Sequence, residues 1–248
     1  MTNHSISVKD GDVPIVVPES MVVFAGHPDD ELLSAGGTIM KYSELGTKIT
    51  VVVATMGLGG YAHKINEDNI SNKRANEFES VTKFLNCDFV EIGLDEISIN
   101  RQNVAQFTNL IRDLKPQVIL MHHPSDTHRT HRNLANLVKE AIYHTATGKA
   151  YGGAGREFMP LAVYQYESPS CKFQYIDASV FITVDISNYW ERKIEIFKKV
   201  YASQAEVLDR ILLWAERTAK LRGNEYHCEY GEAFIPLTEY VPLKILLQ

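Results

Sequence analysis

The sequence MVVFAGHPDDE, residues 21–31, decides the fold, because an apolar run passes directly into a cluster of polar side chains. Residues 21–26 are apolar on both faces, which is typical of a central strand in a parallel sheet. Asp29, Asp30 and Glu31 then place negative charge where the dipole of a following helix favours it. Beyond them, apolar residues recur at helical spacing. The sequence therefore predicts a strand that is followed at once by a helix.

Strand-like and helical segments alternate along the rest of the chain, as they do in βαβ units. Further strands are predicted at 48–55, 89–92, 117–122, 162–167 and 180–184, and further helices at 70–85, 104–114, 134–146 and 190–221. This alternation predicts a Rossmann-like α/β fold, a three-layer αβα sandwich with a mostly parallel sheet and a C-terminal helical extension. We expect one domain over residues 1–248, with its core at about 20–150 and residues 151–248 completing it.

Composition and charge argue against several classes of protein. The 248 residues carry a formal net charge of −6 without a long block of Lys or Arg, so no nucleic-acid partner is expected. The apolar runs are far shorter than the roughly 20 residues that cross a bilayer, so no membrane span is expected. The three cysteines form no CxxC pair, which argues against a thiolate zinc site and a disulfide scaffold. Without a basic and apolar leader, a cytoplasmic location is expected.

Two clusters of ligand-type side chains each follow a predicted strand. The first is GHPDDE, residues 26–31, and the second is HHPSDTHRTH, residues 122–131, which holds four of the nine histidines. Taken alone, the acids could simply cap a helix and the histidines could belong to a polar loop, which is the interpretation we prefer for His122. Because open α/β sheets bind ligands outside the carboxyl ends of their strands, we expect both clusters to face one pocket.

Together the two clusters predict a metal site. His128 and His131 are three residues apart, which places them on one face of a helical turn. Two histidines, one aspartate and an open position form the ligand set of catalytic zinc. Such a metal lowers the pKa of bound water from about 15.7 to about 7, and a further carboxylate is available as a base. The sequence therefore predicts the hydrolysis of an amide or an ester.

Both clusters resemble motifs of one known family. AGHPDDELLSAGGTI resembles the signature of the LmbE-like/PIG-L family, the GlcNAc-phosphatidylinositol de-N-acetylase superfamily, and HPSDTHRTHRNLA resembles its H-P-D-H motif. Three further segments are similar to weaker motifs of the family: RANEFESVTKFL at 74–85, DISNYWERKIEIFKKVYASQ at 185–204 and YGEAF at 230–234. The resemblance therefore covers roughly residues 21–234, and its first two motifs together are highly specific.

The family resemblance implies roles for individual residues of the two clusters. His27, Asp30 and His131 would bind one Zn²⁺ ion, and Asp29 would be the general base that activates water. His128 would be the cationic group that stabilises the oxyanion and assists the departure of the amine. Other divalent metals are compatible with the same ligands.

The resemblance implies roles for three further positions. Asp95, in the turn IGLDE, stands where the family often has an aspartate that orients His128, and Arg74 would contact the substrate. Glu31 would either orient His27 or cap the helix.

The second cluster departs from the family pattern in two positions. Thr130 stands where H-P-D-H has aspartate, and Arg129 stands where it has proline. The first change removes a carboxylate from the neighbourhood of the ligands, and Asp126 could partly replace it. We expect reduced activity rather than loss of the metal.

The resemblance implies removal of an N-acetyl group from an N-acetylglucosamine-containing or related amino sugar, a small-molecule substrate. A homo-oligomer is compatible with the family. Two alternatives stay open. One is an amidase or hydrolase that acts on another acylated small molecule or on a thiol–sugar conjugate, and the other is a non-catalytic sugar-binding protein. Retention of both Asp29 and His128 argues against the second, because binding alone needs no base.

Overall fold

The computed structural model describes residues 16–56, 67–153, 156–178, 180–201 and 208–248. Its strands are β1 (Ser20–Ala25), β2 (Lys48–Val53), β3 (Asp88–Glu91), β4 (Val118–His122), β5 (Ala162–Tyr166), β6 (Ile182–Asp185) and β7 (Gly231–Pro236). Its α-helices are α1 (Asp30–Glu44), α2 (Glu67–Leu85), α3 (Arg101–Leu114), α4 (Arg129–Thr145), α5 (Trp190–Val200) and α6 (Leu208–Tyr226). Strands and helices alternate from β1 to α4, as the sequence predicts.

The described strands form one seven-stranded sheet in the order β3-β2-β1-β4-β5-β7-β6. The first five strands in this order pair in parallel, whereas β7 runs antiparallel to both β5 and β6. The prediction of a mixed α/β fold with a mostly parallel sheet is confirmed. From β1 the chain continues outward to β2 and β3, and from β4 it continues outward in the other direction. The β1–β4 boundary is therefore the topological switch point, where such sheets bind ligands.

Apolar side chains pack on both faces of the sheet, which explains the unbroken apolar runs of the central strands. On β1, Met21 and Val23 belong to one buried cluster, whereas Val22 and Phe24 belong to the other. Helices α1, α2, α5 and α6 contribute to the first cluster, and α3 and α4 contribute to the second. The result is the predicted three-layer arrangement. Among the described residues, no helix is both long and apolar enough to cross a membrane.

The C-terminal half differs from the sequence-based expectation in two ways. The sequence pattern does not predict β7, because Glu232 interrupts the apolar run of this segment. This carboxylate is buried and accepts hydrogen bonds from Lys193 Nζ at 2.7 Å and from the amide of Thr38 at 2.8 Å. The helical region predicted at 190–221 contains two helices, α5 and α6, and residues 202–207 between them lie outside the described ranges.

Helix α4 begins at Arg129, earlier than the helix predicted at 134–146. Its N-cap is His128, whose carbonyl accepts the amide of Arg132 at 3.0 Å. The apolar periodicity starts only at Leu134, so that pattern places the start too late. The earlier start puts His131 on the first turn of the helix.

Candidate metal centre

The two polar clusters meet at the switch point, just beyond the carboxyl ends of β1 and β4. Gly26 directly follows β1, and its amide donates a hydrogen bond to His122 Nε2 at 3.1 Å. A Cβ at Gly26 would lie only 3.0 Å from His131 Cδ2 and 3.2 Å from Asp30 Oδ2. A glycine at this position therefore lets the two clusters approach closely. That both clusters lie at one pocket is what the sequence predicts.

Three potential ligand atoms lie at equal distances from one another. His27 Nδ1 is 3.3 Å from Asp30 Oδ2, His131 Nε2 is 3.3 Å from the same oxygen, and the two nitrogens are 3.3 Å apart. Tetrahedral zinc with bonds of about 2.0–2.1 Å holds its ligand atoms roughly 3.3 Å apart. The donor set and its spacing therefore fit a zinc-sized cation.

His122 and His128 also belong to groups of side chains in this region that are close enough to share an ion. His122 Nε2, however, already accepts the amide of Gly26, so its lone pair is occupied. The ring is fully buried and stacks on His131 with centroids 4.0 Å apart. Burial lowers the pKa of His122 to about 4. His122 is thus a neutral, buried imidazole that packs behind the centre. This agrees with the interpretation preferred from the sequence, in which His122 is not a ligand.

Asp126 has a more direct role at the centre than the sequence indicates. Its Oδ2 lies 3.1 Å from His131 Nδ1 and accepts the hydroxyl of Ser168 at 2.7 Å. Its Oδ1 accepts the amide of His128 at 2.8 Å. A carboxylate behind a ligating histidine fixes the tautomer and orientation of the ring. The available signal was an aspartate two residues before the N-cap of α4.

Opposing charges control the protonation of the ligand set. Burial disfavours ionisation of Asp30, yet the positive charge of His131 holds the pKa of Asp30 well below its usual range. Burial also disfavours the imidazolium of His131, but Asp30 and Asp126 outweigh it and raise the pKa of His131 to about 10. The two carboxylates therefore stabilise positive charge between them, which is what a cation site requires.

Asp29 lies at the N-cap of α1 with φ of 127° and ψ of −29°, a conformation that L-residues rarely adopt. Its amide donates to Glu31 Oε2 at 3.1 Å, and the hydroxyl of Tyr201 donates to Glu31 Oε1 at 3.0 Å. Burial raises the pKa of Glu31 to about 7. Of the two roles considered for Glu31, the structure shows a capping contact, and that contact is made to the backbone of Asp29.

The other predicted site residues lie at different distances from the centre. The ring of His128 is exposed, with its centroid 5.1 Å from that of His27. Desolvation lowers the pKa of His128. Asp95 is also exposed, and within the described part of the chain it makes no hydrogen bond or ion pair with His128, whereas its neighbour Glu96 binds Arg129 at 2.8 Å. Arg74 lies on α2, and its side chain is outside the described residues.

The fold and the centre define a class, namely Rossmann-like α/β proteins with a histidine and carboxylate metal site at the switch point. Within this class, the model of the family described as PIG-L, GlcNAc-PI de-N-acetylase, matches residues 22–142. The matched segment contains both polar clusters, so the chain is similar to the PIG-L (LmbE-like) family in the region that forms the centre. The resemblance seen in the sequence motifs is thereby confirmed.

Individual relatives and solved structures are also similar to this chain. The 1D-myo-inositol 2-acetamido-2-deoxy-alpha-D-glucopyranoside deacetylase of Actinosynnema mirum is 25% identical over 74% of this chain and 80% of its own. The N,N'-diacetylchitobiose deacetylase of Pyrococcus horikoshii has a TM-score of 0.79 at 19% identity, over 89% of this chain and 84% of its own. The 4-carboxy-2-hydroxymuconate hydratase of Pseudomonas putida has a TM-score of 0.76 at 18% identity, over 90% and 98%.

Proposed function

We propose that this chain is a zinc-dependent deacetylase that removes an N-acetyl group from an N-acetylglucosamine-containing or related amino sugar. The observation that carries this proposal is the set of three potential ligand atoms spaced 3.3 Å apart at the switch point. In the sequence, Asp29 lies between two of these residues, His27 and Asp30. The substrate class is supported by the Actinosynnema relative, whose name describes an acetamido sugar linked to inositol.

His27, Asp30 and His131 would hold the zinc ion. When bound, zinc acidifies water and polarises an acyl oxygen. Asp29 takes a proton from the attacking water, whose oxygen forms a bond to the acyl carbon. His128 donates a hydrogen bond to the oxygen that becomes negative, and this charge favours the protonated imidazole. The C–N bond then breaks, and the amine leaves with a proton from Asp29 or His128, which gives acetate and a free amino sugar.

Other expectations remain part of the proposal. Arg74 would contact the substrate, and Asp95 would orient His128, although its exposed position gives that role no support. A cytoplasmic location accords with the free thiols of Cys87, Cys171 and Cys228. A homo-oligomer and a single domain over the whole chain stay predictions.

The decisive experiment measures acetate release by the zinc-loaded protein from a panel of N-acetylated sugars, glycosides and nucleotide sugars. We expect release from at least one amino sugar. Asp29→Ala should retain zinc but lose roughly 10²–10⁴-fold in kcat, the range typical of general acid–base groups. Full activity of Asp29→Ala would show that the base is assigned wrongly. No release by the wild type from any member of the panel would contradict the proposal.

The ligand assignment has its own test, the zinc content of His27→Ala and His131→Ala. We expect both variants to lose most of the metal, because each removes one of three protein ligands. Unchanged zinc in both would contradict the assignment. His122→Ala is the matched control, since this imidazole already accepts a backbone hydrogen bond, and it should retain more zinc than either ligand variant.

A second candidate function keeps the metal and changes the substrate, as an amidase or hydrolase of another acylated small molecule or of a thiol–sugar conjugate. The fold alone does not choose a reaction, since a hydratase shares it with a TM-score of 0.76. Acetate release across the sugar panel separates the two candidates, because an enzyme specific for another acylated molecule would release no acetate from N-acetylated sugars.

A further inference from the structure

The backbone of Asp29 is held in a conformation that is unfavourable for any residue other than glycine. At φ of 127° an L-residue meets steric conflict that glycine avoids, and such strain persists only where surrounding contacts enforce it. Strained residues of this kind cluster at functional sites. The contacts that hold Asp29 therefore determine where its carboxylate stands.

The side chain of Glu31 provides one of these contacts. Its Oε2 accepts the amide of Asp29 at 3.1 Å, while the carbonyl of Asp29 accepts the amide of Leu33 at 2.9 Å. In an ordinary capping box the acid stands at the third helical position, whereas Glu31 is the second residue of α1 and is fully buried. A helix cap does not require such burial, because water can serve an exposed helix end.

Tyr201 fixes this glutamate from the far half of the chain. Its hydroxyl donates to Glu31 Oε1 at 3.0 Å, and its side chain is 1% exposed. It is the C-cap residue of α5, which packs on the same face of the sheet as α1. Each carboxylate oxygen of Glu31 thus meets a different donor, and the glutamate cannot rotate without losing one of them.

We propose that Glu31 and Tyr201 are positioning residues that hold Asp29, the base of the proposed deacetylation, in its strained orientation. This inference rests on the proposed function. Neither residue contacts the substrate in this scheme, and neither belongs to the ligand set. Their effect should therefore appear in the chemical step and not in zinc binding.

The test begins with Glu31→Met, Glu31→Gln and Tyr201→Phe. Methionine fills the space without an acceptor, so kcat should fall by about 10²-fold, as expected for small misplacement of a reacting group, with KM and zinc content nearly unchanged. Glutamine can accept from Asp29 and donate to the Tyr201 oxygen, so it should recover most of kcat. Tyr201→Phe should lower kcat by a smaller factor, about threefold to tenfold.

The control is Tyr42→Phe. Tyr42 is a fully buried tyrosine near the C-terminal end of α1, and its hydroxyl accepts the amide of Gln248. Its loss should leave kcat unchanged. An equal fall in kcat for Tyr42→Phe and Tyr201→Phe would assign the effect to general destabilisation and overturn the proposal.

A double-mutant cycle separates positioning from a general structural role. In an Asp29→Ala background the base is absent, so adding Glu31→Met should cause no further loss of kcat. If kcat of the double variant fell by the product of the two single losses, the proposal would be overturned. Amide hydrogen exchange of the segment 26–32 gives a second readout, in which Glu31→Met should accelerate exchange and Tyr42→Phe should not. Unchanged exchange would also count against it.

Failure of the proposed function and failure of the positioning role give different experimental results. If the zinc-loaded wild type releases no acetate, the proposed function is wrong. If the wild type is active and Glu31→Met retains its kcat, the proposed function stands and the positioning role is wrong.

Discussion

Gly26 shows how one missing side chain allows a site to form. Any Cβ there would press on His131 and on Asp30, at 3.0 and 3.2 Å. We therefore expect Gly26→Ala to weaken zinc binding by about tenfold or more, since a ligand must move to make room. Competition with a fluorescent chelator measures this affinity. An unchanged affinity would mean that the cluster adapts without loss.

Asp126 supplies a second prediction for a single residue. Asp126→Asn removes the carboxylate behind His131, and loss of such a partner typically costs 10–100-fold in metal affinity. The chelator assay should show a fall in that range. Asp177→Asn, at an exposed aspartate, is the matched control and should retain the affinity of the wild type. Equal affinities for all three proteins would remove Asp126 from the site.

The proximity of the proposed ligands was easier to predict from the sequence than that of the residues that support them. His27, Asp30 and His131 could be predicted because they stand in short motifs that follow two strands, and the structure brings them together. The Glu31–Tyr201 contact joins positions 170 residues apart, so no local pattern reveals it. Asp95 shows a different difficulty. Its position matches one where the family often has an aspartate, but its exposed side chain makes no hydrogen bond or ion pair with His128 among the described residues.

At the scale of elements, the buried ion pair between Lys193 and Glu232 connects α5 and β7 to α1. Lys193 Nζ contacts Glu232 Oε1 at 2.7 Å and the carbonyl of Leu33 at 2.8 Å. Lys193→Met leaves the carboxylate buried without its cation, so the free energy of unfolding should fall by about 3–5 kcal/mol. Urea denaturation measures this change. Lys199→Met removes an exposed pair from the same helix and should leave the midpoint unchanged. Equal midpoints for both variants would contradict this account.

The same ion pair explains why the C-terminal elements were harder to predict. The parallel strands β1, β2 and β4 are continuous apolar runs, so their composition identifies them. Strand β7 carries a charge at its second position, and the contacts of Glu232 with Lys193 and with the backbone of α1 make that charge compatible with burial. The predicted start of α4 is too late for a related reason, because its first turn is formed by polar residues, among them His131 of the candidate metal centre.

For the whole molecule, metal binding should raise stability, because a ligand that binds only the folded state stabilises it. At a free zinc concentration about a hundred times Kd the gain is about 2.7 kcal/mol. Thermal unfolding should therefore occur at lower temperature after treatment with EDTA and recover when zinc is restored. In His131→Ala the EDTA-induced shift should largely disappear. An equal shift in this variant would place the stabilising metal elsewhere.

The distance between the two ligand histidines along the chain has a consequence for the order of events during folding. His27 and His131 are separated by 104 positions, yet their ring nitrogens lie 3.3 Å apart. Closing so long a loop carries an entropic cost that the strand pairing of β1 with β4 must offset first. A newly made chain would therefore acquire its full affinity for zinc only after the centre of the sheet has assembled, and the rate of metal uptake would report the completion of that step.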